Sequence, residues 1–146
     1  MYVRELQVRY RLRRIPGSPF PSDRLLSAQD AAVAFMRILE NEAIEVCGVL
    51  CLSTRNHVLA YHELSRGIID ATMVHPREVF KVALLANATA VVIGHCHPSG
   101  DPTPSPSDLD ITARLVRASE LIGIQLVDHI IVAPGRYISL KETGRL

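Results

Sequence analysis

Two short, continuous apolar runs constrain the fold of this chain more than any other feature. "AVVIGH" covers residues 90–95, and "IQLVDHIIVA" covers residues 124–133. Their length and their β-branched residues predict strands that are buried on both faces. A strand of this kind needs packed cover on each side, so we expect helices against both faces of the sheet.

Three helices are predicted from capping residues and apolar stripes. Their starts carry Ser27 with Asp30 three residues on, His75 followed by Pro76, and Ser105 followed by Pro106. Serine and aspartate caps satisfy the free N–H groups of a first turn, and proline fits the first helical position. Gly123 is suited to end the third helix in a left-handed conformation. The predicted helices cover residues 28–42, 76–87 and 105–123.

Further strands surround the two apolar runs. "EVCGVLCLS" and "HVLAYHEL" flank "TRN", which predicts an antiparallel pair, and "RYISL" after "PG" predicts a last strand. "SRGIID", residues 65–70, is predicted as a loop that can include a short strand. Residues Leu6–Arg13 alternate between apolar and polar, as in a half-buried strand. Its arginine row is typical of a charge-protected edge strand, and contact with nucleic acid or an acidic partner is the alternative.

Length and pattern together predict a single domain over residues 1–146, of the α/β or α+β class, with a sheet covered by helices. No internal repeat or second domain is visible. A formal net charge of +1 gives no global field towards nucleic acid or membrane. No apolar run has the length of a membrane span, and the N-terminus lacks a signal core. Three cysteines without a CxxC pair favour reduced thiols, so we expect a cytoplasmic protein.

The stretch "GHCHPSGDPTPSPSDLD", residues 94–110, carries the candidate chemistry. Side chains alternate along a strand, so His95 and His97 share one side and Cys96 points to the other. Both imidazoles can reach one zinc ion. The Pro- and Gly-containing loop can fold the start of the next helix, with Asp108, back over the strand end. A His, His, Asp set leaves the fourth tetrahedral position for water, as in catalytic zinc sites.

A purely structural interpretation of the same residues is possible. Two histidines near a turn are common, and Ser105 with Asp108 could form only a helix cap. The full spacing, His-x-His, seven residues, Ser, two residues, Asp, is much harder to obtain by accident.

This spacing resembles the H-x-H-x7-S-x2-D signature of JAMM (MPN-plus) metalloproteins, and "HPSGDPTPS" resembles the bacterial RadC family. "SRGIIDATMVHPREVFKVALLANA", "LIGIQLVDHIIV" and "RYISL" also fit RadC. The resemblance implies a JAMM/MPN domain of the α/β class with a cytidine-deaminase-like arrangement, in which an α+β mixed sheet has helices on both sides. It implies zinc held by residues matching His95, His97 and Asp108. It further implies two catalytic residues: Glu45, acting through the activated water, and Ser105, helping to position or stabilise the reacting centre.

The function implied is that of a zinc-dependent hydrolase, a metallopeptidase or isopeptidase acting on a peptide or protein substrate. The main alternative is a non-catalytic zinc-containing interaction module associated with DNA repair or replication, which the intact motif disfavours. A metal-dependent nuclease ranks last because no carboxylate cluster for two metals is visible. Nucleobase deamination is excluded because H-x-E and P-C-x-x-C are both absent.

Two departures from the RadC pattern affect these expectations. Cys96 stands between the histidines where RadC proteins usually have asparagine. Longer RadC proteins carry an N-terminal region resembling a helix-hairpin-helix module. This sequence begins just before the metal domain, so we expect no such region and a weaker link to DNA repair. Asp128 and His129 are adjacent on a strand and face opposite ways, so neither is expected to be catalytic.

Overall fold

In the computed structural model of the protein, the described residues are 24–39, 41–67 and 74–146, with residues 1, 3, 7, 9 and 11. The helices are α1 (Ala28–Leu39), α2 (Pro76–Leu85) and α3 (Pro106–Ile122). The strands are β1 (Val46–Leu52), β2 (Val58–Arg66), β3 (Ala90–Cys96), β4 (Gln125–Ala133) and β5 (Arg136–Ser139). The strand predicted over Leu6–Arg13 lies outside the described residues, apart from three isolated positions.

The five strands form one mixed sheet in the order β2-β1-β3-β4-β5. β3 and β4 are parallel and are connected through α3, whereas the other neighbouring strands are antiparallel. Every residue of β1 and of β3 is buried. β3 therefore has the cover on both faces that its continuous apolar sequence predicts, and β4 has it from Asp128 onwards, whereas Gln125 at its start is exposed.

The helices divide between the two faces of the sheet. α1 packs on one face, where Phe35 joins Leu50, Val92 and Ile130 in one core cluster. α2 and α3 pack on the other face, and their core cluster includes the following residues from helix and sheet: Val79, Phe80, Leu115, Val49 and Ile93. The predicted fold class, a mixed sheet with helices on both sides, is confirmed.

Helix α1 approaches the sheet most closely at a glycine. A Cβ atom added at Gly94 would lie 2.4 Å from the ring of Phe35, which is fully buried. The directly paired residue on β1 is Gly48, where a Cβ would meet the half-buried ring of Tyr61. Gly94 immediately precedes His95, so α1 packs closely against β3 one residue before the candidate site.

The predicted helix starts are confirmed, but α1 and α2 end earlier than predicted, α2 at Leu85 instead of at residue 87 because the chain turns at Asn87, which has a φ of 53°. The Ser27 hydroxyl accepts from the Asp30 N–H, and His75 caps α2 by accepting from the Arg77 N–H. α1 ends at Leu39 instead of at residue 42 because the chain turns there, and the N–H of Glu42 returns to the carbonyl of Leu39.

β2 continues through Ser65 and Arg66, the first residues of the segment predicted as a loop with room for a short strand, because both pair with the first residues of β1. None of the helices in the described parts of the chain combines the length and apolarity needed to cross a bilayer.

Candidate metal centre

The end of β3 and the first turn of α3 bring His95, His97 and Asp108 together. One potential ligand atom from each residue lies within 4.8 Å of the others. His95 Nε2 is 2.9 Å from His97 Nε2 and 3.3 Å from Asp108 Oδ1. His95 is completely buried, Asp108 is nearly so, and the His97 side chain remains 11% exposed. The cluster is thus a buried donor set that solvent reaches from the His97 side.

Asp108 is held in place by the cap of its own helix. Its Oδ2 accepts from the backbone N–H of Ser105 at 2.7 Å and from the Ser105 hydroxyl at 2.8 Å, and its own N–H donates to that hydroxyl oxygen. This capping box leaves Oδ1 facing His95. Burial opposes ionisation of Asp108, but the adjacent His95 ring and the Ser105 donors outweigh burial and hold the pKa of this carboxyl well below its usual range.

Each histidine uses its Nδ1 atom for a hydrogen bond to the protein. His97 Nδ1 lies 2.7 Å from the carbonyl oxygen of Asp101, in the loop after β3. A carbonyl can only accept, so His97 Nδ1 carries the hydrogen and its Nε2 carries the lone pair. His95 Nδ1 lies 2.9 Å from Nε2 of His129 on β4, and His129 Nδ1 lies 2.7 Å from the hydroxyl of Thr112 on α3.

The same reasoning fixes the hydrogen positions along this second chain. The Thr112 hydroxyl donates to the backbone carbonyl of Asp108 at 2.6 Å, so its oxygen must accept from His129 Nδ1–H. Burial and the neighbouring His95 lower the pKa of His129, which is therefore neutral and accepts at Nε2. His95 consequently donates from Nδ1, and in the neutral form that binds a metal its lone pair is on Nε2.

The donor set therefore fits a metal ion. When both rings are neutral and carry their hydrogens on Nδ1, two Nε2 lone pairs face each other across 2.9 Å beside a carboxylate oxygen, and a cation among the three atoms would stabilise this arrangement. Neutral imidazole Nε2 and a carboxylate oxygen are ordinary zinc ligands, with the other imidazole nitrogen donating to a protein acceptor. Within the described part of the chain, His95, His97 and Asp108 are the histidine, cysteine or acidic residues that lie close enough together to hold a metal ion.

Residues 25–145 match the RadC-like JAB domain family. The chain belongs to this family. A UPF0758 protein of Desulfitobacterium hafniense is 43% identical over 137 residues, 92% of this chain and 59% of the relative. UPF0758 proteins of Clostridium kluyveri and Shouchella clausii are 44% identical over 123 residues and 47% identical over 118 residues. These matches cover 84% and 81% of this chain, but 54% and 51% of those relatives, so the chain spans little more than half their length.

Cys96 of this RadC-like JAB domain lies on the opposite face of β3 from the metal donors, as alternation predicts. Its Sγ accepts from the backbone N–H of Val46 at 3.4 Å, and its S–H donates to the carbonyl of Ile44 at 3.5 Å. The thiol thereby bonds the backbone on both sides of Glu45. An asparagine amide, with its own donor and acceptor, could make both bonds, which gives a physical reason for the exchange noted in the sequence.

Glu45 lies at the start of β1 and is half-buried. Cys47 pairs directly with His95, and the nearby Asp108 contributes to the raised pKa of the Cys47 thiol, whose main cause is burial. The pairing of β1 with β3 ends at Cys47 and His95, and both Glu45 and His97 lie two residues beyond that pair at the same end of the sheet. The fold thus brings all five predicted site residues of the RadC-like JAB domain to one end of the sheet.

Sequence reasoning missed His129 and Thr112 as part of the centre. Asp128 and His129 do face opposite ways: Asp128 accepts from the Ser139 hydroxyl and the Lys141 N–H, whereas His129 turns towards His95. The spacing of Thr112 four residues after Asp108 gave a usable signal, because residues i and i+4 share a helix face. The place of His129 depends on the register of two continuous apolar strands, and alternation does not specify that register.

Proposed function

We propose that this protein is a zinc-dependent hydrolase that cleaves amide bonds in a peptide or an isopeptide-linked protein. The observation that carries the proposal is the convergence of two imidazole lone pairs and a carboxylate at a point that solvent reaches on one side. Zinc bound there would supply the Lewis acidity that activates water near neutral pH. The open side leaves room for water and a substrate carbonyl, which a closed structural site would not.

The residues around the donors would have distinct parts in this reaction. Glu45, half-buried immediately before β1 at the same end of the sheet as the donors, would accept the proton of the attacking water and deliver it to the leaving amine. Ser105 would position Asp108, because its hydroxyl hydrogen is directed at Asp108 Oδ2. His97 forms the accessible edge of the site, so the scissile bond would approach from that side.

The first experiment measures metal content and turnover on one preparation. Purified protein is analysed for zinc and is then incubated with fluorogenic peptides, isopeptide-linked conjugates, and single- and double-stranded DNA. We expect one zinc per chain and amide hydrolysis that a chelator abolishes and added zinc restores. Stoichiometric zinc without turnover on any substrate would favour the interaction module, and cleavage of DNA alone would favour a nuclease.

The second experiment separates proton transfer from metal binding. We expect Glu45→Gln to keep its zinc and to lose about 10²–10⁴-fold in turnover, the contribution typical of a general acid–base group. Glu120→Gln is the matched control, since Glu120 is an exposed carboxylate on α3. Loss of zinc from Glu45→Gln would make Glu45 a ligand, and unchanged turnover would place the base elsewhere.

A further inference from the structure

We propose that Thr112 and His129 are positioning residues that tie the metal ligands of the strand and of the helix into one unit. The chain of contacts runs from the Asp108 carbonyl through the Thr112 hydroxyl and the His129 ring to His95 Nδ1, with separations of 2.6, 2.7 and 2.9 Å. The inference rests on the metal binding of the proposed function, and it does not depend on hydrolysis.

The direction of every hydrogen bond in this chain follows from its first member. The Asp108 carbonyl has no hydrogen, so it takes the only hydrogen of the Thr112 hydroxyl. Each later group is then obliged to donate to the group before it, and His95 is left with its lone pair on Nε2. A backbone carbonyl of the helix that supplies one ligand thus dictates the tautomer of the ligand on the neighbouring strand.

Burial keeps this arrangement in place. His95 and His129 are at most 2% exposed and Thr112 is 1% exposed, so water is not at hand to replace a lost partner. A hydrogen bond removed here leaves a buried polar group unsatisfied. The three residues also come from β3, β4 and α3. This series of hydrogen bonds therefore fixes the distance between the end of β3 and the start of α3 as well as the tautomers of the two histidines.

The acceptor for His95 is itself unusual. Metal-ligating histidines commonly donate to a carboxylate, a backbone carbonyl or water. Here the acceptor is a neutral imidazole, which brings no negative charge next to His95. The negative charge that these three residues offer to a metal ion therefore comes from Asp108, because histidine binds metals in its neutral form.

Thr112→Val tests the proposal with little change in shape, because valine replaces the hydroxyl with a methyl group. We expect its zinc affinity, measured by chelator competition, to fall about 10–100-fold, as is typical when a group supporting a metal ligand is lost. Thr112→Ser keeps the hydroxyl and should restore near wild-type affinity. Ser119→Ala is the matched control, since Ser119 is a buried α3 hydroxyl that donates to the Val116 carbonyl away from the site.

A spectroscopic measurement tests the hydrogen positions directly. Long-range ¹H–¹⁵N NMR spectra of the histidine rings should give Nδ1–H tautomers for both His95 and His129 in the wild-type protein loaded with zinc. In Thr112→Val the His129 signals should lose the pure Nδ1–H pattern, because its acceptor is gone. A purely structural role would lower the thermal midpoint without moving these signals.

The outcomes separate this inference from the proposed function. Wild-type protein that binds no zinc overturns both. Wild-type protein that binds zinc, with Thr112→Val binding it equally tightly, overturns only the positioning role. An Nε2–H tautomer at His129 overturns the relay whatever the affinities are. Equal losses of affinity in Thr112→Val and Ser119→Ala would show a general effect of α3 stability and would also overturn it.

Discussion

The two faces of β3 differ sharply over its last three residues. On the face towards α2 and α3, the apolar residues Val91 and Ile93 give way to His95, whose polar atoms are engaged with other buried side chains. On the face towards α1, Val92 is apolar, and the next two positions on that face, Gly94 and Cys96, carry small side chains or none. One strand thus carries a polar centre and a tightly packed contact back to back.

This contrast shows how one strand can hold a buried polar site while its backbone stays rigid. The apolar face provides close packing, which resists movement of the backbone. The polar face uses that fixed backbone to hold hydrogen-bonded rings at defined distances, as a metal centre requires. Variants on the two faces should therefore fail in different ways, with metal lost first on one and stability lost first on the other.

The largest effect is expected on the polar face. His95→Ala with His97→Ala removes two of three ligands, and we expect metal analysis to find no zinc while circular dichroism still reports a folded chain. His57→Ala with His62→Ala is the control, since both are exposed on the β1–β2 hairpin and should leave the zinc content unchanged. Stoichiometric zinc surviving in the first double variant would refute the ligand assignment.

The next effect is expected on the packed face. Gly94→Ala would press a methyl group into the buried ring of Phe35, and overpacking of a core typically costs about 1–3 kcal/mol of unfolding free energy. Gly48→Ala meets the outer end of the half-buried Tyr61 ring, which can move, so its cost should be smaller. Chemical denaturation of both variants measures the difference; equal midpoints would mean that α1 does not clamp the strand.

A smaller effect, on both stability and zinc binding, is expected at the start of α3. Ser105→Ala loses a cap, which costs about 1 kcal/mol of stability. It also removes a donor to Asp108 Oδ2, so we expect zinc affinity and turnover to fall at least about tenfold while the chain stays folded. Zinc titration, turnover and thermal midpoint are recorded on one sample. A lowered midpoint with wild-type affinity and turnover would leave Ser105 as a cap only.

The smallest effect is expected at the thiols. Cys47, Cys51 and Cys96 are all buried, and burial raises the pKa of each, to about 11 for Cys51. Since the thiolate is the reactive form, iodoacetamide at pH 8 should label none of them in the folded protein and all three in denaturant. Mass spectrometry counts the labels. Rapid labelling of Cys96 in the folded state would show that the α1 face opens near the site.

The local features of the fold were readable from the sequence because they depend on short-range physics. Caps at Ser27, His75 and Ser105 and the apolar runs of β3 and β4 located the elements. The spacing along residues 95–108 predicted that the three donors meet, because a strand end and the start of the next helix lie at one edge of the sheet. The sequence does not specify which residue of β4 lies beside His95, because a fully buried parallel pair carries no alternation to set its register.

The parallel pairing of β3 with β4 has a consequence for how the protein folds. His95 and His129 are 34 positions apart, and the connecting segment includes all of α3. Contacts of such long sequence separation form late, after the entropy of closing the connection has been overcome. A metal ion bound by the completed site would therefore add its binding free energy to the native state and little to partly folded chains. Zinc should then slow unfolding more than it speeds folding, so that metal occupancy sets the lifetime of the folded chain.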